Sequence, residues 1–210
     1  MEALLIVDLQ LDFLENGNLE VPNGDQIIPI VKQLMTQFEI IVATKDWHPA
    51  NHVCFAANHP WRKPFQVIKI EGYQQILWPM HCVQNTLGAE FPPQLNVKNI
   101  DKIIYKGTNP NIDSYSAFFD NHHQNQTELN NYLNENQIDK IYICGLAYDY
   151  CVKYTAIDGI DLGYEIIIIE DACRSINQDI QYLNQLKSEL ESKGVRIINS
   201  QELELGLSKF

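Results

Sequence analysis

Residues 139–159, "DKIYICGLAYDYCVKYTAIDG", decide the fold. The stretch opens as an apolar run of β type up to Leu146. From Cys151 onward, Val152, Ala156, Ile157 and Ile160 recur at helical spacing. Strand followed directly by helix is half of a βαβ unit.

Similar runs lie on either side: "ALLIVDL" (3–9), "FEIIVATKD" (38–46), "DKIIYKG" (101–107), "YEIIIIEDA" (164–172) and "VRIINS" (195–200). Each is nearly continuous in hydrophobicity, the pattern of strands covered on both faces of a parallel sheet. Amphipathic helices fall between them. Ile27, Val31 and Leu34 share one face, and Leu129, Tyr132 and Leu133 another. Ile176, Ile180, Leu183, Leu186 and Leu190 form a third face on a helix ended by Gly194. This alternation predicts an α/β fold: three α/β/α layers, doubly wound, around a six-stranded and mostly parallel sheet. The 210 residues suit one domain, 1–210. The connection from about 47 to 100 holds all three Trp and is too long to be a mere link, so it reads as functional.

A net charge of −12 with no basic stripe argues against a nucleic-acid surface. The start, "MEALLIVDLQLDF", lacks a basic n-region and a long apolar run, predicting neither a signal peptide nor a membrane span. Five cysteines without a CxxC pair point to free thiols and a reducing cytoplasm.

In open α/β sheets ligands gather beyond the carboxyl ends of the strands. The first strand ends at Asp8, the second at Asp46 with His48 just beyond, the third at Lys106, and the fourth leads to Cys151. With Asp149 as N-cap, a thiol in the first helical turn feels the helix dipole and free N–H groups, both of which favour thiolate. Lys106 would lower its pKa further, and Asp8 could shuttle its proton. Taken singly, each residue has a plainer reading: Cys151 as packing, Asp8 as a cap, Lys106 as a solvated charge. Joint placement gives them weight. Cys144, mid-strand, reads as buried and inert.

"KDWHPANH" places Asp46 and His48 two apart, and "WPMHC" adds His81. One carboxylate and two imidazoles make an open site for Zn, Fe or Mn. A capped turn would also explain the D-x-H spacing. His52 is either a fourth ligand or an outer partner; His59, His122 and His123 read as solvated.

Five stretches taken in order, "LLIVDLQLDF", "TKDWHPANHVCFAANH", "WPMHCVQNTLGAEF", "YKGTNPNIDSYSAFFDN" and "GLAYDYCVKYTAIDG", resemble the nicotinamidases (pyrazinamidases) of the isochorismatase-like cysteine hydrolase superfamily. The resemblance covers nearly the whole chain. It implies Cys151 as nucleophile, Asp8 as general base and acid, and Lys106 as third member of the triad. It implies Asp46, His48 and His81 as ligands of one divalent ion, zinc above all, that binds the pyridine nitrogen, with no organic cofactor. Phe13 and Tyr115 match aromatic positions beside the substrate ring, with Trp78 near them. The N–H groups of Ala147 and Cys151 match an oxyanion hole, with a cis peptide before Ala147. The implied substrate is nicotinamide, with pyrazinamide as a second, and the implied setting is NAD salvage; a homo-oligomer stays open. Tyr148 departs from the family, where a small hydroxyl residue is common, and leaves substrate range open.

Three other readings remain at this point. A metal-free relative would cleave an N-carbamoyl or ureido amide, or isochorismate. A structural metal module would show no catalysis, and a thiol redox sensor would need a resolving cysteine beside Cys151.

Overall fold

Leu4 and Ile6 turn to one face of the first strand and Ala3, Leu5 and Val7 to the other, and all five are fully buried. Such a strand must be covered twice. In a computed structural model that describes residues 1–207, it is the centre of a three-layer fold. The strands are β1 (Glu2–Val7), β2 (Ile41–Asp46), β3 (Val67–Ile70), β4 (Tyr73–Ile76), β5 (Lys102–Lys106), β6 (Lys140–Leu146), β7 (Glu165–Arg174) and β8 (Arg196–Ile198). The helices are α1 (Ile28–Leu34), α2 (Leu129–Glu135), α3 (Lys153–Asp161), α4 (Ile180–Ser192) and α5 (Ser200–Leu207).

Six strands form the main sheet in the order β5-β2-β1-β6-β7-β8. Every pairing in it is parallel, so the expected "mostly parallel" sheet is wholly so. Leu4, Ile6 and Cys144 pack with Ile28, Val31 and Leu34 of α1 and Leu203 of α5. Ala3, Leu5, Val7, Ile141 and Ile143 pack with Leu129 and Leu133 of α2, Ala156 of α3, and Leu186 and Leu190 of α4. The strand order reverses between β1 and β6, which opens a crevice at their carboxyl ends.

One expectation needs correction. Ile176 and Ile180 do not sit on the inner face of a helix. α4 begins only at Ile180, which is 75% exposed, because Asp179 caps it by accepting from the N–H of Tyr182. Ile176 lies in the preceding loop. Within the long connection, β3 and β4 pair as a small antiparallel hairpin. Among the described residues no helix is long and apolar enough to cross a membrane.

Candidate active site

Register supplies the first half of the site. Val7 pairs with Gly145, and Asp46 pairs with Lys106, so Asp8, Asp46 and Lys106 leave the sheet at adjacent strand ends. β6 runs through a cis Leu146–Ala147 peptide into a π-type turn, Tyr148–Val152, that carries Cys151 and continues into α3. Gly145 has φ +122°, and a Cβ there would lie 2.0 Å from the carbonyl oxygen of Val7. Only glycine lets the two strands meet so closely before the turn.

Lys106 is the hub. Its Nζ donates to Asp46 Oδ1 at 2.5 Å and to the Ser114 carbonyl at 2.9 Å, and it lies 3.4 Å from Cys151 Sγ. It also comes within 2.9 Å of Asp8 Oδ2. That contact is a buried ion pair. The other Asp8 oxygen accepts from Thr44 Oγ1 at 2.6 Å, and that hydroxyl in turn accepts from the Asp8 N–H. Thr44 therefore holds one oxygen of Asp8, while the second faces Lys106.

Burial sets the charge states. It pushes the Cys151 thiol well above its ordinary value, and Asp8 and Asp46 add to this against the pull of Lys106. The helix dipole and Lys106 were expected to favour thiolate; Lys106 does pull the thiol pKa down, but burial opposes it and is the larger effect. Burial likewise raises Asp8, opposed by Lys106. Burial works against the charge of Lys106, yet Asp46 and Asp8 hold its pKa well above the usual range. Burial works against ionised Asp46 too, but Lys106 and His48 keep it well below the usual carboxylate range.

The second half of the site comes from the long connection. The chain after β2 pairs again at His48, which donates its N–H to the Cys82 carbonyl, while Gln84 donates to the His48 carbonyl. This bridge places His81 beside His48. Nδ1 of His48 lies 2.9 Å from the Gly107 carbonyl and Nδ1 of His81 lies 2.8 Å from that of Pro79. With Nδ1 engaged, each ring presents Nε2, at 3.6 Å and 3.7 Å from Asp46 Oδ2. Ring nitrogens oriented by carbonyls and converging on one carboxylate oxygen are a group that could hold a divalent ion. Asp46 serves both halves, Oδ1 to Lys106 and Oδ2 to the histidines.

The expected aromatic residues line a cavity beside these groups: Phe13, Trp78 and Tyr115, with Asp46, His81, Ala147 and Cys151. Trp78 Nε1 donates to Tyr115 Oη at 3.2 Å, which fixes two of the walls. Ala147 and Cys151 both border the cavity, so their main-chain N–H groups lie at the turn beside it. The His52 ring lies 4.3 Å from that of His48, tilted by 46°, and groups with Cys54 and Asp113 rather than with Asp46 and His81. Tyr148 does not line the cavity. It is buried in the core layer under α3 and α4, away from the substrate walls.

Of the remaining histidines, His123 is exposed as expected, while His59 and His122 are only partly so. His59 contacts the Val53 carbonyl, His122 stacks on Tyr73 at 3.7 Å, and His123 stacks on Phe119. Cys144 is fully buried, and no cysteine is in a disulfide among the described residues.

Four wall residues were not anticipated: Leu19, Asp113, Tyr150 and Ile176. Tyr150 and Asp113 lie inside the quoted motifs, and position next to Cys151 was a usable signal for the first. Leu19 and Ile176 carry no chemistry that a sequence could flag. Gln10 was also missed. Its buried carboxamide donates to the carbonyls of Asp46 and Ala89 and accepts from the Asp46 N–H, clamping Asp46 by its main chain.

An isochorismatase domain model matches residues 2–202. A nicotinamidase of Acinetobacter baylyi is 45% identical over 203 residues, covering 96% of this chain and 94% of that protein. Among solved structures, a nicotinamidase/pyrazinamidase of Acinetobacter baumanii superposes with a TM-score of 0.92 at 45% identity, over 96% of this chain and 97% of that one. A pyrazinamidase of Pyrococcus horikoshii, solved in complex with zinc, superposes with a TM-score of 0.75 at 37% identity, over 94% and 98% of the two chains. With a family match over nearly its whole length and relatives of this similarity, the chain belongs to the isochorismatase family, in its nicotinamidase group.

Proposed function

We propose that this chain is a nicotinamidase, hydrolysing nicotinamide to nicotinate and ammonia through a thioester on Cys151. The observation that carries the reading is the double use of Asp46. One oxygen pairs with Lys106 of the Asp8/Lys106/Cys151 cluster, and the other faces His48 and His81. A thiol site and a metal site thus share one aromatic cavity, as a substrate with both an amide and a pyridine nitrogen requires.

Asp46, His48 and His81 would hold a divalent ion, with zinc favoured over iron or manganese, and the ion would supply a Lewis-acid contact for the ring nitrogen. Phe13, Trp78, Tyr115 and Tyr150 enclose the ring. Asp8 Oδ2 takes the Cys151 proton, working against the burial that raises the thiol pKa. The sulfur attacks the amide carbon, and the N–H groups of Ala147 and Cys151 receive the developing oxyanion. Asp8 returns the proton to the departing nitrogen, and ammonia leaves as the thioester forms. Asp8 then takes a proton from water as the hydroxide attacks the thioester. The acid departs, and the proton passes from Asp8 to the released thiolate. Lys106 stays charged throughout and offsets the charge passing between Asp8 and sulfur.

Pyrazinamide, with the same ring nitrogen and carboxamide, fits the same cavity. The product acid suits pyridine-nucleotide salvage in the cytoplasm, and a single domain carries the whole reaction. A metal-free relative acting on an N-carbamoyl amide would have no use for the converging Nε2 atoms. Ammonia release from nicotinamide, measured with and without exhaustive chelation and with metal content counted, tests the reading. Turnover is expected to fall with metal content and to return on adding zinc. Undiminished turnover in metal-free protein would overturn the ring-nitrogen role, and no ammonia from the metal-loaded enzyme would overturn the activity.

A further inference from the structure

Asp149 does not cap its own helix. Its carboxylate is buried, 3% exposed, and reaches across to the loop that follows β7. There Oδ1 accepts from the N–H of Ile176 at 3.0 Å and Oδ2 from that of Asn177 at 2.9 Å. Neither N–H has a backbone partner in the described structure. A carboxylate that takes two consecutive main-chain donors, one on each oxygen, fixes both the position and the direction of that backbone.

The two ends of the loop are anchored elsewhere. β7 pairs with β6 through Cys173 with Gly145 and Arg174 with Leu146. Asp179 caps α4 through the N–H of Tyr182. Between these anchors Asp149 holds the middle, where Ile176 turns inward as a wall of the cavity beside Ala147, Tyr150 and Cys151.

We infer that Asp149 is a positioning residue: from the turn that carries the thiol, it fixes the loop after β7 and so sets the Ile176 wall of the substrate cavity. The inference rests on the proposed nicotinamidase reading for its substrate, though not for the clamp itself. Attacking atom and binding wall thereby move as one unit, since Cys151 and Asp149 share a single turn. Ile176 is apolar and meets no developing charge. Its contact therefore helps substrate and transition state alike, and losing it raises KM while leaving kcat nearly intact.

The test is a double-mutant cycle with Asp149→Asn and Ile176→Ala, read as KM and kcat on nicotinamide, together with amide exchange of the 175–178 segment. An asparagine keeps one acceptor and turns an NH₂ toward the second N–H, so half of the clamp is lost. Exchange in 175–178 is expected to quicken about tenfold in Asp149→Asn, while exchange in α3 is unchanged. Each single variant is expected to raise KM roughly tenfold with kcat within about threefold. The double variant is expected to match Ile176→Ala alone, because once the wall is gone the clamp has nothing to position. Additive KM effects, a fall in kcat at constant KM, or unchanged exchange would overturn the inference. Wild-type enzyme in the same assay reports on the proposed activity. Were it inactive, that activity would fall and the exchange measurement would still decide the clamp.

Discussion

The two halves of the site are built by different means. Asp8, Asp46 and Lys106 stand at strand ends, and the parallel register alone sets them side by side. His81 and Trp78 belong to the long connection, whose course is set by isolated bridges: His48 with Val83, and Phe55 with Trp78. In the first half, a residue's place follows from the strand it ends. In the second it follows from backbone pairings between segments far apart in sequence. The strand-end half should thus resist changes to its surroundings and fail only when its own groups are removed, whereas the connection half should fail when a remote support is cut.

Removing the proposed nucleophile gives the largest effect. Cys151→Ala is expected to lower kcat by at least about 10⁴-fold, in the range lost when a covalent catalyst is deleted. Nicotinamide binding should persist, since Asp46, His48, His81 and the aromatic walls are untouched. Isothermal titration beside an ammonia assay separates the two, and turnover near wild type would remove the thiol from the mechanism.

Lys106→Met strikes the hub and should damage both halves at once. It leaves two buried carboxylates, Asp8 and Asp46, facing each other without their shared cation. Breaking a buried ion pair from one side costs about 3–5 kcal/mol, so chemical denaturation should show a loss of that order. Turnover is expected to fall at least about a hundredfold in whatever folded fraction remains. A variant of native stability would mean that Asp8 and Asp46 are not both ionised in the folded protein.

Gly107→Ala lies on the seam between the halves. Gly107 has φ +63°, and a Cβ there would come within 2.3 Å of the His48 ring. The added methyl should push the ring off its carbonyl and misdirect Nε2. Zinc affinity, measured by competition with a chromophoric chelator, is expected to drop about 10–100-fold, the usual range for a lost ligand support. Unchanged affinity would show that His48 is not held by this contact.

The contrast also explains what could be read from the residues in advance. The six strands are nearly continuous Ile/Val runs, and their carboxyl ends carry Asp8, Asp46 and Lys106, so fold and half of the site followed from a pattern of short range. His81 was visible as a residue type within "WPMHC" and through the family resemblance, but nothing local says that Cys82 will bond to His48. Ile176 shows the failure most plainly. Its spacing to Ile180 and Leu183 is helical, yet the Asp179 cap and the Asp149 clamp hold it in a loop facing the cavity. A period counts positions along a chain, whereas a long-range hydrogen bond joins two segments and leaves no trace in either alone. Burial at Cys151 was out of reach for a related reason: a lysine at a neighbouring strand end can be read from the residues, but desolvation appears only once the layers close.

The smallest predicted effect tests the connection half at its most remote support. Asp12 is buried, and its Oδ2 accepts from the Cys82 N–H at 2.7 Å, while Oδ1 lies 3.3 Å from the Asn18 N–H. Gly88 packs against the same carboxylate so closely that a Cβ would lie 2.2 Å from Oδ2. Cys82 has φ +45° and directly follows His81, so this bond holds the backbone that aims the imidazole. Asp12→Asn keeps the volume but weakens a charge-assisted bond, a change of about 1–2 kcal/mol at most. Zinc affinity is expected to fall about threefold to tenfold, with nicotinamide kcat at saturating zinc within about twofold of wild type. A fall in kcat at saturating zinc would place Asp12 in the chemistry itself. An unchanged affinity would show that the bridge at His48 is enough to seat His81, and that the connection half stands as firmly as the strand ends.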